Sequence, residues 1–169
     1  YTLTLDKTVF SDNAALNDAI ARLVALCQET DTTWVDTLPL SRDMTPMLYL
    51  SSVNRSDFVS FVEKHEISKT LTAVQMLDTL RVLFEIDRKY SDAEARLIAG
   101  VRYELDGRSS YVFSEDVPGE MIAQIVDGDF LGVTTGVSSS RVYNTEYAAH
   151  ILGRITRIYE EDWGEYKDK

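Results

Sequence analysis

The start of the chain contains the pattern that decides the fold: YTLTL at residues 1–5, followed by SDNAALNDAIARLVALCQE at residues 11–29. In the first stretch apolar and polar side chains alternate, which is the period of a strand with one buried face. In the second stretch Ser11 and Asp12 are typical of a helix start, and apolar residues recur at helical spacing as far as Cys27. The sequence therefore predicts a strand followed by an amphipathic helix, with Cys27 facing the core.

Helical patterns dominate the middle of the chain. Ser56 is expected to cap a short helix, and TAVQ (72–75) and SDAE (91–94) both have the reciprocal spacing of a capping box. Residues 29–46 form a connection rich in Thr and Asp, long enough to indicate either a lobe boundary or an extended excursion. Residues 47–50 (MLYL) are interpreted as a strand or as a buried helix turn.

The second half of the chain alternates between the two types of pattern. A strand is predicted at residues 110–113, a helix at 118–128 and a longer strand from residue 133 to Asn144. Asn144 can also cap a last helix, which Gly153 would close. Because strands and helices do not alternate strictly, the predicted fold class is α+β.

The predicted organisation is a set of strands grouped around several helices, as one elongated module or as two small lobes. With 169 residues the chain has room for about one domain. We therefore expect a single domain over residues 1–169, with a helical sub-lobe or insertion at about residues 47–100.

Composition and charge exclude several function classes. The chain has 17 Lys and Arg against 28 Asp and Glu, and its net charge of -11 disfavours a nucleic-acid partner. Its longest apolar run is a few residues, whereas a membrane-spanning helix needs roughly 18 to 20. Cys27 is the only cysteine, which excludes an intramolecular disulfide and a multi-cysteine metal site.

The sequence contains no recognisable catalytic set. Its two histidines, His65 and His150, are the only imidazoles, and neither lies near a Gly-x-Ser-x-Gly motif. His65 lies in a charged helix end and is expected to be solvated, whereas His150 follows two alanines and is expected to pack against the fold. Glycine-rich nucleotide loops are absent, and no Lys has Ser three positions before it. We therefore expect no catalytic residue, metal or cofactor.

A first alternative is a small extracytoplasmic enzyme or a calcium-binding domain. Carboxylate oxygens are the ligands that calcium prefers. The spacing of the acidic residues does not fit an EF-hand, and solvated loop acids are the competing interpretation. The candidate ligands are Glu104, Asp106, Glu115 and Asp116.

A second alternative is an intracellular adaptor. Tryptophan is enriched among the residues that dominate binding energy at protein interfaces. In this hypothesis Trp34 and Trp163 would be exposed contact residues.

The sequence SRVYNTEYAAHILG (140–153) resembles a motif of the N-terminal dimerisation or pedestal domain of class B penicillin-binding proteins. That motif has Arg-x-Tyr, a turn, and then Ala-Ala-His-(Val/Leu)-Leu-Gly. The turn differs here, because Asn-Thr stands where many members have Tyr-Pro-Tyr-Gly. The resemblance assigns structural motif positions to Arg141, Tyr143, Asn144, Ala148, Ala149, His150 and Gly153.

Other stretches resemble the same family in order and spacing. These are IAGVRYEL (98–105) and YVFSEDV (111–117), and more loosely residues 1–28. FLGV (130–133) stands where the family has a Leu-Pro-Gly-Val-like sequence, so its proline is missing here. The resemblance is weak between residues 29 and 89.

The resemblance implies a non-catalytic module of a cell-wall enzyme. The parent would have a membrane helix before residue 1 and a penicillin-sensitive D,D-transpeptidase domain after Lys169. The module would lie on the extracytoplasmic face of the bacterial membrane and position that domain. Its expected partners are its own transpeptidase domain, a membrane glycosyltransferase, other cell-wall machinery and a second copy of itself. The motif residues would shape a strand-to-helix corner near the interdomain junction.

Overall fold

The structure, a computed structural model, describes residues 1–137, and Tyr1–Ser138 form one compact unit. Five α-helices and three strands make up this part of the chain, which confirms the α+β prediction. In chain order the elements are β1 (Thr2–Asp6), a 3₁₀ turn (Lys7–Val9), α1 (Asn13–Glu29), a second 3₁₀ turn (Ser51–Asn54), α2 (Ser56–Lys64), α3 (Ala73–Leu83), α4 (Asp92–Glu104), β2 (Ser110–Ser114), α5 (Gly119–Asp127) and β3 (Val133–Gly136).

The sheet is antiparallel, with β1 in the centre and the strand order β2-β1-β3. Leu3 and Leu5 of β1 are fully buried, as the alternating pattern predicts. Leu5 pairs with Tyr111 on one side and with Val133 on the other. Burial of the two leucines places this face of the sheet against the hydrophobic core.

Helix α1 begins and packs as predicted. The Asp12 carboxylate accepts a hydrogen bond from the Ala15 backbone N–H at 2.8 Å and caps the helix. Cys27 is fully buried, together with Ile20 and Leu23, and α1 packs against α4. The apolar face of α1 is therefore the centre of the core.

Both capping boxes are present. The Thr72 N–H donates to Gln75 Oε1 at 2.9 Å, and the Gln75 N–H donates back to Thr72 Oγ1 at 3.3 Å. Ser91 and Glu94 make the same reciprocal pair, at 2.8 and 3.3 Å. Each pair satisfies backbone N–H groups that have no partner within the helix. These contacts begin α3 and α4, which pack on one another.

Two predicted boundaries are wrong. Ser56 is already the first helical residue of α2, and Arg55 occupies the cap position without a side-chain hydrogen bond. Strand β3 ends at Gly136, with Val137 exposed outside it, because Gly136 pairs with Thr2, the first residue of β1. The rest of that predicted strand, and the helix after Asn144, lie outside the described residues.

The segment from residue 30 to residue 50, here called the excursion, contains no full helix or strand, and its Leu38, Leu40 and Met47 are buried in the core. Its first part lies beside β2, where the Val35 N–H donates to the Phe113 carbonyl at 2.8 Å. It then turns back on itself, and Leu40 forms a single antiparallel bridge with Tyr49. Residues 47–50 are thus neither a full strand nor a helix turn. In the described part of the chain no helix is long and apolar enough to cross a membrane.

Candidate functional site

A buried arginine joins the excursion to helix α4. Arg96 Nη1 lies 3.0 Å from Asp36 Oδ2, and the two side chains are 2% and 1% exposed. Its Nε and Nη2 donate to the Leu40 carbonyl at 3.0 and 2.8 Å, and Nη2 donates also to the Leu38 carbonyl at 3.1 Å. Burial lowers the pKa of Arg96, and Asp36 opposes that shift. One guanidinium therefore supplies hydrogen-bond donors to two backbone carbonyl groups of the excursion.

The same helix is joined to α1 by a second arginine. Arg102 donates from Nη1 to Asn17 Oδ1 at 3.2 Å and from Nη2 to Asn13 Oδ1 at 2.7 Å. Its guanidinium also lies over the Phe84 ring, 5.2 Å from the centroid. Burial lowers the pKa of Arg102. The polar side chains of this part of α4 thus connect α4 to other segments of the fold.

A polar cleft opens between α2 and the end of α4, and we call it the α2–α4 cleft. Its volume is about 270 Å³. A smaller cavity continues it along α2 and shares Thr37, Asp57 and Tyr103 with it. The residues that line the cleft are Thr37, Asp57, Ser60, Phe61, Lys64, Tyr103, Glu104, Asp106 and Arg108.

One end of the cleft is closed by the contacts of Asp106 with Lys64 and His65. Lys64 Nζ lies 2.7 Å from Asp106 Oδ2, and His65 Nε2 lies 3.0 Å from Asp106 Oδ1. Burial opposes ionisation of Asp106, but the hydrogen bonds from Lys64 and His65 outweigh it and lower the pKa of the carboxyl. His65 also packs on Phe61, with ring centroids 4.7 Å apart. The prediction that His65 is solvated is therefore wrong, since only 20% of its side chain is exposed.

The floor of the cleft contains a buried carboxylate. Glu104 is 8% exposed, and its Oε1 accepts hydrogen bonds from the Thr37 backbone N–H at 2.8 Å and from the Thr37 hydroxyl. Burial, followed by the charge of Glu104, raises the pKa of Tyr103 to about 12. The Tyr103 phenol therefore remains protonated at neutral pH.

The predicted calcium site does not form. Glu104 bonds to Thr37, and Asp106 bonds to Lys64 and His65, whereas Glu115 and Asp116 are exposed in the turn after β2. Among residues 1–137 no group of three His, Cys, Asp or Glu side chains could bind a metal ion. The hypothesis of a hard-cation site at these four acids is therefore wrong.

Trp34 is not an exposed contact residue. Its ring stacks on Phe113 with centroids 6.3 Å apart and an interplanar angle of 3°. Arg42 covers the ring at 4.4 Å, and the indole Nε1 is buried without a hydrogen-bond partner among the described residues. Trp34 therefore does not support the adaptor hypothesis. Trp163, the second tryptophan of that hypothesis, lies outside the described residues.

Cys27 is not a nucleophile in this fold. It is fully buried, and burial raises the pKa of its thiol to about 12. The seven predicted motif residues, from Arg141 to Gly153, all lie outside the described residues, so their roles stay predictions.

Sequence reasoning missed the buried side chains of Asp36 and Arg96 and the partly buried Arg102. The pattern that could have found Arg96 is its position on the α4 face formed by the small residues Ala95, Ala99 and Gly100, where an exposed arginine is not expected.

The comparison with known families places the whole chain in one of them. The family described as the penicillin-binding protein dimerisation domain matches residues 1–169. The chain belongs to that family. It is therefore a module of a penicillin-binding protein and a non-catalytic one, in agreement with the absence of a catalytic set in the sequence. A comparison of this chain with curated proteins found no match.

Proposed function

We propose that this dimerisation domain is the scaffold of a serine D,D-transpeptidase that cross-links peptidoglycan. In this proposal it positions the catalytic domain on the extracytoplasmic face of the bacterial membrane, to which a helix before residue 1 anchors the parent. The observation that carries the proposal is the family match over residues 1–169. The sequence resemblance at residues 98–117 and 140–153 is to the same family.

The hydrogen bonds of three arginines support a mechanical role. A spacer must keep its shape when its partners pull on it, and a buried arginine with several hydrogen bonds restricts the segments that it joins. Arg96 joins α4 to the excursion, and Arg102 joins α4 to α1. Arg81, also buried, joins α3 to the Tyr90 carbonyl at 2.9 Å. The interior of the domain is thus cross-connected at several points.

We further propose that residues 1–169 form one pedestal module whose motif lies near the junction with the transpeptidase domain. In this proposal the motif forms a strand-to-helix corner, as the resemblance implies. The residues that would shape this corner are Arg141, Tyr143, Asn144, Ala148, Ala149, His150 and Gly153.

The proposed partners are the parent's own transpeptidase domain, a membrane glycosyltransferase, other cell-wall proteins and a second copy of the domain. With a net charge of -11, two copies repel one another unless apolar contacts dominate the interface. A partner contact that relies on charge weakens as salt is added. Binding measured at two ionic strengths separates these two kinds of contact.

The central test is labelling with a fluorescent penicillin. The 169-residue domain is expected to remain unlabelled, whereas the full-length protein is expected to form a covalent adduct. Labelling of the isolated domain would overturn the scaffold proposal. So would a flanking coding sequence with neither an upstream apolar helix nor a downstream Ser-x-x-Lys motif.

A variant of the full-length protein tests positioning itself. We expect Arg96→Met to reduce cross-linking of the cell wall while purified full-length protein still reacts with penicillin, because the catalytic serine is untouched. The matched control is Arg88→Met, whose side chain is 76% exposed. Equal cross-linking by both variants would contradict a role of the domain in positioning.

A further inference from the structure

The buried Glu104 has an unused oxygen at the α2–α4 cleft. Its Oε1 is occupied by Thr37, but its Oε2 makes no hydrogen bond within the described part of the chain. The Arg108 guanidinium is 4.0 Å from Oε2, beyond hydrogen-bond distance. An ionised oxygen at the wall of a cavity attracts a donor group, and a cationic donor makes the strongest hydrogen bond with it.

The charges around the cleft define the kind of ligand that would fit. Lys64 already neutralises Asp106 at 2.7 Å, so these two leave little net charge at their end. The lining charges that remain are Asp57, Glu104 and Arg108, which are two acids and one base. The complementary ligand has two cationic groups and one anionic group.

The apolar part of the lining suits an alkyl chain. Phe61 and Tyr103 meet edge to face, with ring centroids 4.9 Å apart, and both rings line the cleft. Aromatic rings contact methylene groups and also attract cations over their faces. A volume of about 270 Å³ lies just below the range of pockets for drug-sized ligands, which starts near roughly 300 Å³. The cleft is thus of a size for one amino acid.

We propose that the α2–α4 cleft binds a free dibasic amino acid. One ammonium group binds Glu104, the second lies near Asp57, and the carboxylate group accepts from Arg108. The alkyl chain lies on the Phe61 and Tyr103 rings. This site is independent of the scaffold role, so the two proposals can fail separately.

The test is a titration of the isotopically labelled 169-residue domain with L-lysine, followed by NMR. L-norleucine, which has the same length without the side-chain ammonium, is the matched control ligand. We expect saturable shifts of the Ser60, Tyr103 and Glu104 amides with lysine and binding at least about tenfold weaker with norleucine. Equal binding of both, or no saturable shift with lysine, would overturn the proposal.

A blocked lysine, Nα-acetyl-L-lysine amide, tests the contacts of the α-ammonium and carboxylate groups, because it lacks both. We expect it to bind at least about tenfold more weakly than lysine. Binding as tight as that of lysine would overturn the assignment of two ammonium groups to the cleft.

Two variants locate the site. Glu104→Gln can still accept the Thr37 hydrogen bonds but loses the charge, and Arg108→Gln changes a side chain that is 62% exposed. We expect each to weaken lysine binding about tenfold. The control Glu120→Gln, an exposed change in the first turn of α5, should leave it unchanged. Because Arg108→Gln does not affect the core, unchanged lysine affinity in that variant would contradict the proposal even if Glu104→Gln failed to fold.

Discussion

Gly100 of helix α4 lies against the carboxylate of Asp36, so closely that a Cβ atom at Gly100 would be 2.5 Å from Asp36 Oδ1. Real Cβ contacts are not this short, so any side chain here must displace Asp36. Because Asp36 is paired with Arg96, the displacement reaches the excursion through Leu38 and Leu40. Glycine in the interior of a helix usually destabilises it, and here the close approach explains its presence.

We therefore expect Gly100→Ala to destabilise the domain by about 1–3 kcal/mol, despite the better helix propensity of alanine. The control is Gly119→Ala, where the nearest atom to the new Cβ, on Tyr1, would be an ordinary 3.7 Å away. Urea unfolding of both variants measures the difference. A Gly100→Ala variant as stable as the Gly119→Ala variant would show that the contact between α4 and Asp36 is looser than described.

Removal of the Arg96 guanidinium is expected to have a larger effect. Arg96→Met leaves the Asp36 carboxylate buried with Arg42 as its remaining cationic partner. It also removes both donors to the Leu40 carbonyl, whereas the Leu38 carbonyl keeps the Leu40 N–H at 2.8 Å. Breaking a buried pair on one side typically destabilises by about 3–5 kcal/mol.

The double variant Arg96→Met with Asp36→Leu removes both charges and should be more stable than Arg96→Met alone. Thermal unfolding of the two variants and of the parent tests this order. A double variant less stable than the single one would mean that Asp36 stabilises the fold without Arg96.

The parts of the fold that the sequence predicts are those that depend on neighbouring residues. A capping box uses residues three positions apart, and the strand at residues 1–5 is defined by its own alternation. The contacts at the candidate site do not depend on neighbouring residues. Arg96 and Asp36 lie 60 positions apart in the sequence, and His65 and Asp106 lie 41 positions apart. Charged residues at such separations look the same in a sequence as solvated ones. For that reason the sequence leaves a cation site at Glu104, Asp106, Glu115 and Asp116 open as an alternative, although Glu104 and Asp106 bond to different partners.

Helix α2 ends in a Schellman motif with Glu66 in the left-handed region, at φ 54°. The Glu66 N–H donates to the Glu63 carbonyl and the Ile67 N–H to the Val62 carbonyl, at 3.1 and 2.9 Å. Glycine adopts this conformation without the Cβ penalty, so we expect Glu66→Gly to stabilise the domain by about 0.5–1 kcal/mol. Glu66→Ala is the control, since alanine keeps the strain, and a similar gain from both in urea unfolding would contradict the explanation.

The contact of Asp106 with Lys64 and His65 predicts how stability depends on pH. Because the folded protein lowers the pKa of Asp106 below its ordinary value of 3.8, the carboxylate stabilises the fold above that pH, and the contribution is lost as the pH falls through the folded value. We expect Asp106→Asn to be less stable than the parent at neutral pH and the difference to shrink below about pH 4. Asp78→Asn, at an exposed ion pair of 3.4 Å, should differ little from the parent at either pH. Urea unfolding across this pH range measures the difference in the free energy of unfolding between each variant and the parent. If the difference for Asp106→Asn stays constant at acidic pH, the ionised form of Asp106 is not what stabilises this end of the α2–α4 cleft.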